Sequence, residues 1–217
     1  MKTFYLLLNL SIEPFSFALA DQETIFFEKK QSGDYSFTEN IIHDIDSTCK
    51  NYNLTLSDCS GIGVINGPGS YTGTRIAVAT ANTLAQINKC PVFGFNCIDV
   101  LAESLQPLKQ VIICAIPSRK NELTFSMYSA GSSDHKMTDN LALKEDAFFS
   151  FLKQFNHDIS LIGPLSNNVI QSCNDLEYIS AHYKDLSLSA LLPLLLKTLQ
   201  TNTDHQYVKP LYLHSAV

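Results

Sequence analysis

The order of predicted elements repeats once along this chain, and the repeat limits the folds open to it. The first half reads as three strands, a helix, a strand, a helix, a strand and a helix, and the second half reads the same way. No repeat of the residues themselves accompanies this order, so the duplication lies in the elements alone. A chain of 217 residues is long enough for two lobes of this kind.

This order predicts an α/β protein in which mixed sheets are flanked by helices. That is the architecture of the two-lobed actin-like ATPase (ASKHA) fold, a duplicated ribonuclease H-like unit. We expect a first lobe over residues 1–106 and a second over residues 107–217, whose final residues could pack back on the first. The weakest predicted strand covers 134–138, and the last helix, over 187–199, is assigned to the second lobe.

Charge and cysteine usage exclude several classes of function. The chain carries 15 basic and 21 acidic residues, for a formal net charge of −6, and Arg75 and Arg119 are its only arginines. An acidic, arginine-poor surface is a poor partner for phosphate backbones, so a free-standing nucleic-acid-binding protein is not expected.

The six cysteines form no C-x-x-C pair, and the six histidines are scattered. This usage is typical of reduced, buried thiols without a metal site.

The apolar runs indicate no membrane segment. Ala18-Leu19-Ala20 resembles a signal-peptide cleavage site, but polar residues and Pro14 interrupt the apolar run before it. Two strands joined by a polar turn fit this stretch better. No run approaches the ~18 apolar residues needed to span a bilayer. We therefore predict a cytoplasmic protein with no membrane contact.

The sharpest motif is a glycine-rich turn, GPGSYTGTRI over residues 67–76, between a predicted strand and a predicted helix over 74–87. A helix N-terminus behind such a turn is a natural anion site. The spacing lacks the Gly-Lys-[Ser/Thr] ending of a Walker loop and does not fit G-x-G-x-x-G. An anion-binding turn and a tight turn without a ligand are therefore both open. The candidate anion-binding residues are Gly67, Gly69, Ser70, Thr72, Gly73 and Arg75.

Three motifs in order resemble one known family. The stretch GPGSYTGTRIAVATANTLA over residues 67–85 is similar to the signature of the bacterial TsaB (YeaZ) family. The stretch AIPSRKNE over 115–122 resembles that family's second-lobe hairpin, which usually reads A-x-D-A-R-x-x-E. The stretch KPLYL over 209–213 resembles its C-terminal P-x-Y-L signature. The resemblance runs over most of the chain.

The resemblance implies a non-catalytic scaffold or activator subunit that pairs with a TsaD-like catalytic subunit. Together with a TsaE-like ATPase, that assembly transfers a threonylcarbamoyl group to adenosine 37 of tRNA, which gives t6A. The complex would use ATP, ADP and Mg²⁺, and no cofactor is expected on this chain alone. The chain would meet tRNA only through the complex, and a homodimer is expected when the partner is absent.

Two departures from the family pattern argue against phosphoryl transfer. Asn9 stands where related chains often carry an aspartate in the first hairpin, and Pro117 stands where the second hairpin usually has one. Neither residue offers a carboxylate to Mg²⁺. The alternative function is a small kinase or hydrolase that binds phosphate with the Gly67–Arg75 loop, and it would need an acid from elsewhere. The candidates for that acid are Asp99, Asp134 and Asp139.

A non-catalytic subunit must act through a surface. In the family that the chain resembles, the helix after the glycine-rich turn and the helix before it pack into a bundle between subunits. The matching residues here are Ile41, Ile45, Thr74, Val78, Ala81 and Ala85. Packing within the chain's own lobe is the open alternative for each of them. Arg75 and Arg119 could each bind an anion or a partner's carboxylate, or could brace the cleft between the lobes through an ion pair. The bracing role is favoured, with Glu122 as the expected partner of Arg119.

Overall fold

The structure, a computed structural model, describes residues 3–33, 36–105, 111–129, 136–201 and 207–213. Within these ranges the chain forms two compact units. The first unit contains the described residues up to Cys97 together with Ser187–Leu211. The second contains the described residues of Ile98–Leu186 with Tyr212 and Leu213. Each unit is built on one five-stranded mixed sheet.

The strands of the first unit are short. They are β1 (Phe4–Asn9), β2 (Phe15–Ala20), β3 (Ile25–Gln31), β4 (Cys59–Gly67) and β5 (Val92–Asn96). Their order in the sheet is β3-β2-β1-β4-β5. The β1–β2 and β2–β3 pairs are antiparallel, whereas the β1–β4 and β4–β5 pairs are parallel. Both β1 and β2 are buried along almost their whole length, as expected for strands covered on both faces.

Helices and a short turn connect these strands. They are α1 (Ser36–Glu39), α2 (Ile41–Asn51), a 3-10 turn (Leu56–Asp58) and α3 (Tyr71–Asn88). Side chains of β4, α2 and α3 share one apolar core, to which Ile62, Ile45 and Ala81 belong. The small side chains of α3 let its backbone lie close to the sheet.

The second unit repeats the topology of the first. Its strands are β6 (Val111–Pro117), β7 (Glu122–Tyr128), β8 (Leu141–Lys144), β9 (Ile159–Gly163) and β10 (Ile179–Tyr183). Their order in the sheet is β10-β9-β6-β7-β8. Read from the other edge, this is β8-β7-β6-β9-β10, which matches β3-β2-β1-β4-β5 of the first sheet strand for strand. Its helices are α4 (Cys97–Glu103), α5 (Glu145–Leu152) and α6 (Asn167–Asn174). The predicted two-lobed α/β fold with a duplicated unit is confirmed.

The last helix departs from the sequence-based division of the chain. Helix α7 (Leu188–Thr201) packs against β1 and β4 and therefore belongs to the first unit. A Cβ atom at Gly61 of β4 would lie 3.3 Å from the Leu199 side chain, which is a tight contact, so glycine leaves room for this helix. The boundary expected between residues 106 and 107 falls outside the described residues.

The third strand of the second sheet also differs from the expectation. It is β8, over Leu141–Lys144, which pairs antiparallel with β7. The expected strand over 134–138 is only partly described, and there Lys136 forms an isolated bridge with Tyr128. The sequence of β8 is a four-residue run, too short to show an alternating pattern that would identify it.

Candidate functional site

The glycine-rich turn is closed against the chain's own backbone. It follows β4, begins with a cis peptide bond between Gly67 and Pro68, and leads into α3. A Cβ atom at Gly69 would collide with the carbonyl oxygen of Ser11, and one at Gly73 would collide with that of Leu10. Both glycines are therefore required because the β1–β2 connection approaches the turn closely.

Hydrogen bonds tie the same two segments together. The backbone amide of Ser70 donates to the carbonyl oxygen of Ser11 (2.6 Å), and the hydroxyl of Thr74 donates to Ser11 Oγ (3.0 Å). The Ser11 hydroxyl in turn donates to the carbonyl oxygen of Ile65 on β4 (2.9 Å). The Ser70 hydroxyl caps α3 by accepting from the backbone amide of Gly73 (3.2 Å). Several groups that the sequence suggested as anion ligands thus form hydrogen bonds within the chain.

Asn9 is a fully engaged buried amide. Its Nδ2 donates to the carbonyl oxygens of Ile12 (2.9 Å) and Pro14 (3.2 Å). Its Oδ1 accepts from the backbone amides of Ser11 (3.1 Å) and Ile12 (3.2 Å). An aspartate at this position could not donate to the two carbonyl oxygens, so the turn between β1 and β2 is shaped around an amide. Asn9 therefore serves the fold of the first hairpin.

Arg75 lies on the exposed face of α3, away from this network. Its guanidinium donates to the Tyr71 hydroxyl (2.8 Å), and its Cζ lies 4.8 Å from the centroid of the Tyr71 ring. The pair is one helical turn apart and combines a hydrogen bond with a cation–π contact. Thr72 is exposed beside it. These three side chains form a polar and aromatic patch at the N-terminal end of α3.

The six residues predicted to face a partner do not lie on a surface. Thr74, Val78, Ala81 and Ala85 of α3, like Ile41 and Ile45 of α2, are each at most 4% exposed. Apart from Thr74, all of them belong to the core of the first unit. The physical reason is that small residues bring α3 close to its own sheet, which is the alternative that the sequence left open.

The opposite face of α3 is the one that solvent reaches. Its exposed residues are Tyr71, Thr72, Arg75, Ala79, Thr83, Gln86 and Ile87. At 100° per residue they form one continuous stripe along the helix. Ile87, at the C-terminal end of this stripe, is 70% exposed, and Ile42 of α2 is 51% exposed. Single exposed apolar side chains are ordinary on a protein surface, so these two isoleucines do not by themselves mark an interface.

Glu122 and Arg119 are close in the β6–β7 connection, but the partners of the carboxylate differ from those expected. Glu122 Oε1 accepts from the Ser118 hydroxyl (2.9 Å), and Oε2 lies 3.9 Å from Lys144 Nζ. What joins the predicted pair is a main-chain hydrogen bond, from the Glu122 amide to the Arg119 carbonyl oxygen (3.0 Å). The Arg119 side chain is exposed.

The C-terminal signature has a structural role that the sequence did not reveal. Asn66 Nδ2 donates to the Lys209 carbonyl oxygen (3.0 Å), and the Leu211 amide donates to the Asn66 carbonyl oxygen (2.7 Å). Asn82 of α3 makes two hydrogen bonds to the backbone of Val208. The signal available in the sequence was Asn82 itself, a polar residue on the buried face of an alanine-rich helix.

The acids that a kinase or hydrolase would need are not assembled in the part of the chain that the structure describes. There, no three residues of the types His, Cys, Asp and Glu are grouped as metal ligands. Asp99 Oδ1 accepts from the Tyr128 hydroxyl (2.6 Å) and from Lys136 Nζ (2.7 Å). Asp134 lies outside the described residues.

Among the described residues, none of the helices combines the length and the apolar character that a membrane span requires.

A family model and three curated relatives match this chain. The model, described as TsaD, tRNA N6-adenosine threonylcarbamoyltransferase, matches residues 34–189. The relatives are each named tRNA threonylcarbamoyladenosine biosynthesis protein TsaB. That of Buchnera aphidicola is 25% identical over 59% of this chain and 61% of its own. That of Haemophilus influenzae is 32% identical over 41% of this chain and 39% of its own. That of Bacillus subtilis is 26% identical over 56% of this chain and 52% of its own. The chain thus spans about two to three fifths of these relatives' length.

Two solved structures share the fold. YeaZ from Pseudomonas aeruginosa is 17% identical, with a TM-score of 0.71 over 98% of this chain and 100% of that one. A second protein, described as uncharacterized with similarity to peptidase YeaZ from Pseudomonas aeruginosa, is 16% identical, with the same TM-score and coverage. The topology and these matches define the class as two-lobed actin-like α/β proteins of the TsaD type. Within that class, the chain belongs to the TsaB (YeaZ) family.

Proposed function

We propose that this chain is a non-catalytic scaffold or activator subunit in the biosynthesis of tRNA threonylcarbamoyladenosine, and that it pairs with a TsaD-type catalytic subunit. The pathway is taken from the names of its relatives, TsaB of Buchnera aphidicola and of Haemophilus influenzae. The proposal includes a TsaE-like ATPase in the larger assembly, a cytoplasmic location and contact with tRNA only through the complex. ATP, ADP and Mg²⁺ are used by the complex and not by this chain alone.

The observation that carries the non-catalytic role is the engagement of Asn9. All four of its hydrogen bonds go to the backbone of the first hairpin, where Mg²⁺–nucleotide chemistry would call for a free carboxylate. The turn before α3 is also occupied, because Ser70 and Thr74 bind Ser11. These hydrogen bonds therefore favour a non-catalytic subunit over a phosphate-binding enzyme.

The exposed face of α3 supports the pairing. Ala79 and Thr83 are small and lie in its middle, so the helix of a partner can approach closely there. Tyr71 and Arg75 at one end and Ile87 at the other offer the aromatic, arginine and aliphatic anchors that are enriched in protein interfaces. The same face can hold two copies of this chain together when the catalytic subunit is absent.

The experiment compares two exposed alanines on different helices. Ala79→Glu places a charge on the proposed face, whereas Ala147→Glu places the same charge on the exposed side of α5. We expect Ala79→Glu to weaken binding to the TsaD-type subunit at least about tenfold, equivalent to about 1.4 kcal/mol, and Ala147→Glu to leave it unchanged. Isothermal titration calorimetry gives both constants. Equal binding by the two variants would overturn the choice of face.

The pathway is tested separately in cells. Depletion of this chain is expected to lower the t6A content of bulk tRNA, measured by mass spectrometry, and re-expression of the wild-type chain restores it. Re-expression of Ala79→Glu should restore it less well than Ala147→Glu. Normal t6A after confirmed depletion would remove the chain from the pathway, whatever its binding constants are.

A further inference from the structure

A pocket of about 410 Å³ opens at the C-terminal end of α3. Its lining includes Gln86 of α3, Lys89 and Cys90 of the connection that follows, Val92 of β5 and Tyr207 of the C-terminal segment. Its volume falls within the range of sites that hold small molecules. The Cys90 residue is only 4% exposed, so the pocket is the route by which a reagent reaches its thiol.

A second cysteine adjoins Cys90 at the same end of the sheet. Cys59 begins β4, and Cys90 lies two residues before the neighbouring strand β5. The pairing of Ile62 with Val92 and the hydrogen bond from the Ile62 amide to the Pro91 carbonyl oxygen (2.9 Å) hold these strand ends side by side. The Cys59 thiol donates to the Gly61 carbonyl oxygen (3.5 Å), and it lies close enough to the Cys90 thiol for each to affect the pKa of the other. Both cysteines belong to the apolar core of the first unit. Neighbouring strands lie about 4.8 Å apart, and a disulfide needs a Cα separation of about 4.4–6.8 Å.

The two thiols of this pair differ in reactivity. The adjacent Cys59 thiol lowers the pKa of Cys90, because it can donate a hydrogen bond to the Cys90 thiolate. The same interaction, together with burial, raises the pKa of Cys59. Burial raises the pKa of Cys49 to about 11 and that of Cys173 to about 12. Cys90 is therefore the attacking thiol of the pair, and Cys59 is the resolving one.

We propose that Cys90 and Cys59 form a reversible dithiol–disulfide site, and that its substrate is a small disulfide bearing carboxylates, of the chemical class of glutathione disulfide. The Cys90 thiolate attacks one sulfur of the small disulfide, which forms a mixed disulfide and releases one thiolate. Cys59 then gives its proton to solvent and attacks the Cys90 sulfur, which releases the second small thiolate. In sum, the two protein thiols lose two electrons and two protons, and the small disulfide becomes two thiols. The Lys89 ammonium at the pocket attracts the carboxylates of the substrate.

The test uses the full chain and glutathione disulfide as the probe. Digestion without reductant, followed by mass spectrometry, is expected to give a peptide that links Cys59 to Cys90 and that disappears after treatment with dithiothreitol. Cys59→Ala should accumulate the mixed disulfide of glutathione on Cys90. Cys90→Ala should give neither product, and the matched control Cys173→Ala should react as the wild type does.

A second readout is the midpoint of thermal unfolding. The cross-link closes a loop that contains β4, the glycine-rich turn and α3, so the oxidised wild-type chain should unfold at a higher temperature than the reduced one. Cys59→Ala and Cys90→Ala should show no such rise. Absence of the linked peptide from folded wild-type chain, or equally fast reaction of Cys49 and Cys173, would overturn the proposal. The wild-type digest decides the question even where a variant does not fold.

Discussion

Asn82 and Val208 exchange two hydrogen bonds across 126 positions of sequence. The Val208 amide donates to Asn82 Oδ1 (3.0 Å), and Asn82 Nδ2 donates to the Val208 carbonyl oxygen (2.9 Å). Both residues are buried. The Asn82 side chain thus satisfies both main-chain hydrogen-bonding groups of Val208, as a neighbouring strand would. It holds the C-terminal segment on the first unit.

Replacement of Asn82 should therefore destabilise the chain. In Asn82→Ala the buried amide and carbonyl of Val208 lose their partners, which lowers the free energy of unfolding by about 1–3 kcal/mol. The exposed neighbour Thr83→Ala is the control and should change it by less than about 0.5 kcal/mol. Urea unfolding measures both values. Faster hydrogen exchange of the Val208 amide in Asn82→Ala alone would locate the effect, and equal values for the two variants would contradict it.

Asn9→Asp should destabilise the chain most at neutral pH. The carboxylate cannot donate to the carbonyl oxygens of Ile12 and Pro14, and burial adds to the cost of its charge. The pKa of the new carboxyl is then higher in the folded chain than in the unfolded one. Stability contributed by the protonated group is lost as the pH rises through the folded pKa. Unfolding by urea at pH 4 and pH 7 checks this, with the exposed change Asn156→Asp as the control.

Two alanines on opposite faces of α3 should respond differently to the same charge. Ala81 is fully buried, so Ala81→Glu is expected to cost several kcal/mol or to prevent folding. Ala79 is exposed, so Ala79→Glu should fold with a nearly unchanged midpoint of thermal unfolding. Circular dichroism during heating distinguishes the two. A stable, folded Ala81→Glu would show that this face of α3 is accessible after all.

Tyr128 should contribute to the fall of the unfolding free energy at high pH. Burial, followed by the nearby Asp99 carboxylate, raises the pKa of its phenol. The folded chain thus keeps this proton when the unfolded chain, with a tyrosine pKa of about 10, begins to lose it. The associated stability is present below about pH 10 and is lost as the pH rises above it. In Tyr128→Phe the free energy of unfolding should decline less steeply above pH 10, whereas the control change Tyr207→Phe, at a side chain that is 75% exposed, should leave the slope nearly as it is.

The sequence was a good guide to elements whose pattern is local. The sequence pattern predicts strands over Phe15–Ala20, Glu122–Tyr128 and Ile159–Gly163, and β2, β7 and β9 have these bounds. The prediction of helix α3 began three residues late, because its first turn contains a glycine and two threonines and so carries no apolar periodicity. β8 was misplaced because its short run acquires strand geometry by pairing with β7.

The candidate site could be predicted only in part. The glycines of the turn and the loss of carboxylates at Asn9 and Pro117 are visible in the sequence itself. The partners of Asn9, Ser70 and Asn82 are not, because each hydrogen bond depends on which backbone atoms the fold brings near. The proposed Cys59–Cys90 site likewise depends on the fold, because the parallel pairing of β4 with β5 brings the starts of these two strands together.

By itself, the sequence determined that two similar α/β units form and that a glycine-rich turn precedes an alanine-rich helix. Hydrophobic periodicity and turn chemistry act over a few residues, and they are enough for that. Only the tertiary structure decided which face of α3 is buried and that α7 covers the first sheet. Small residues such as Ala79 and Ala81 suit either face of a helix. The choice between the two faces is made by long-range packing, which places Ala81 against the core and leaves Ala79 to the solvent.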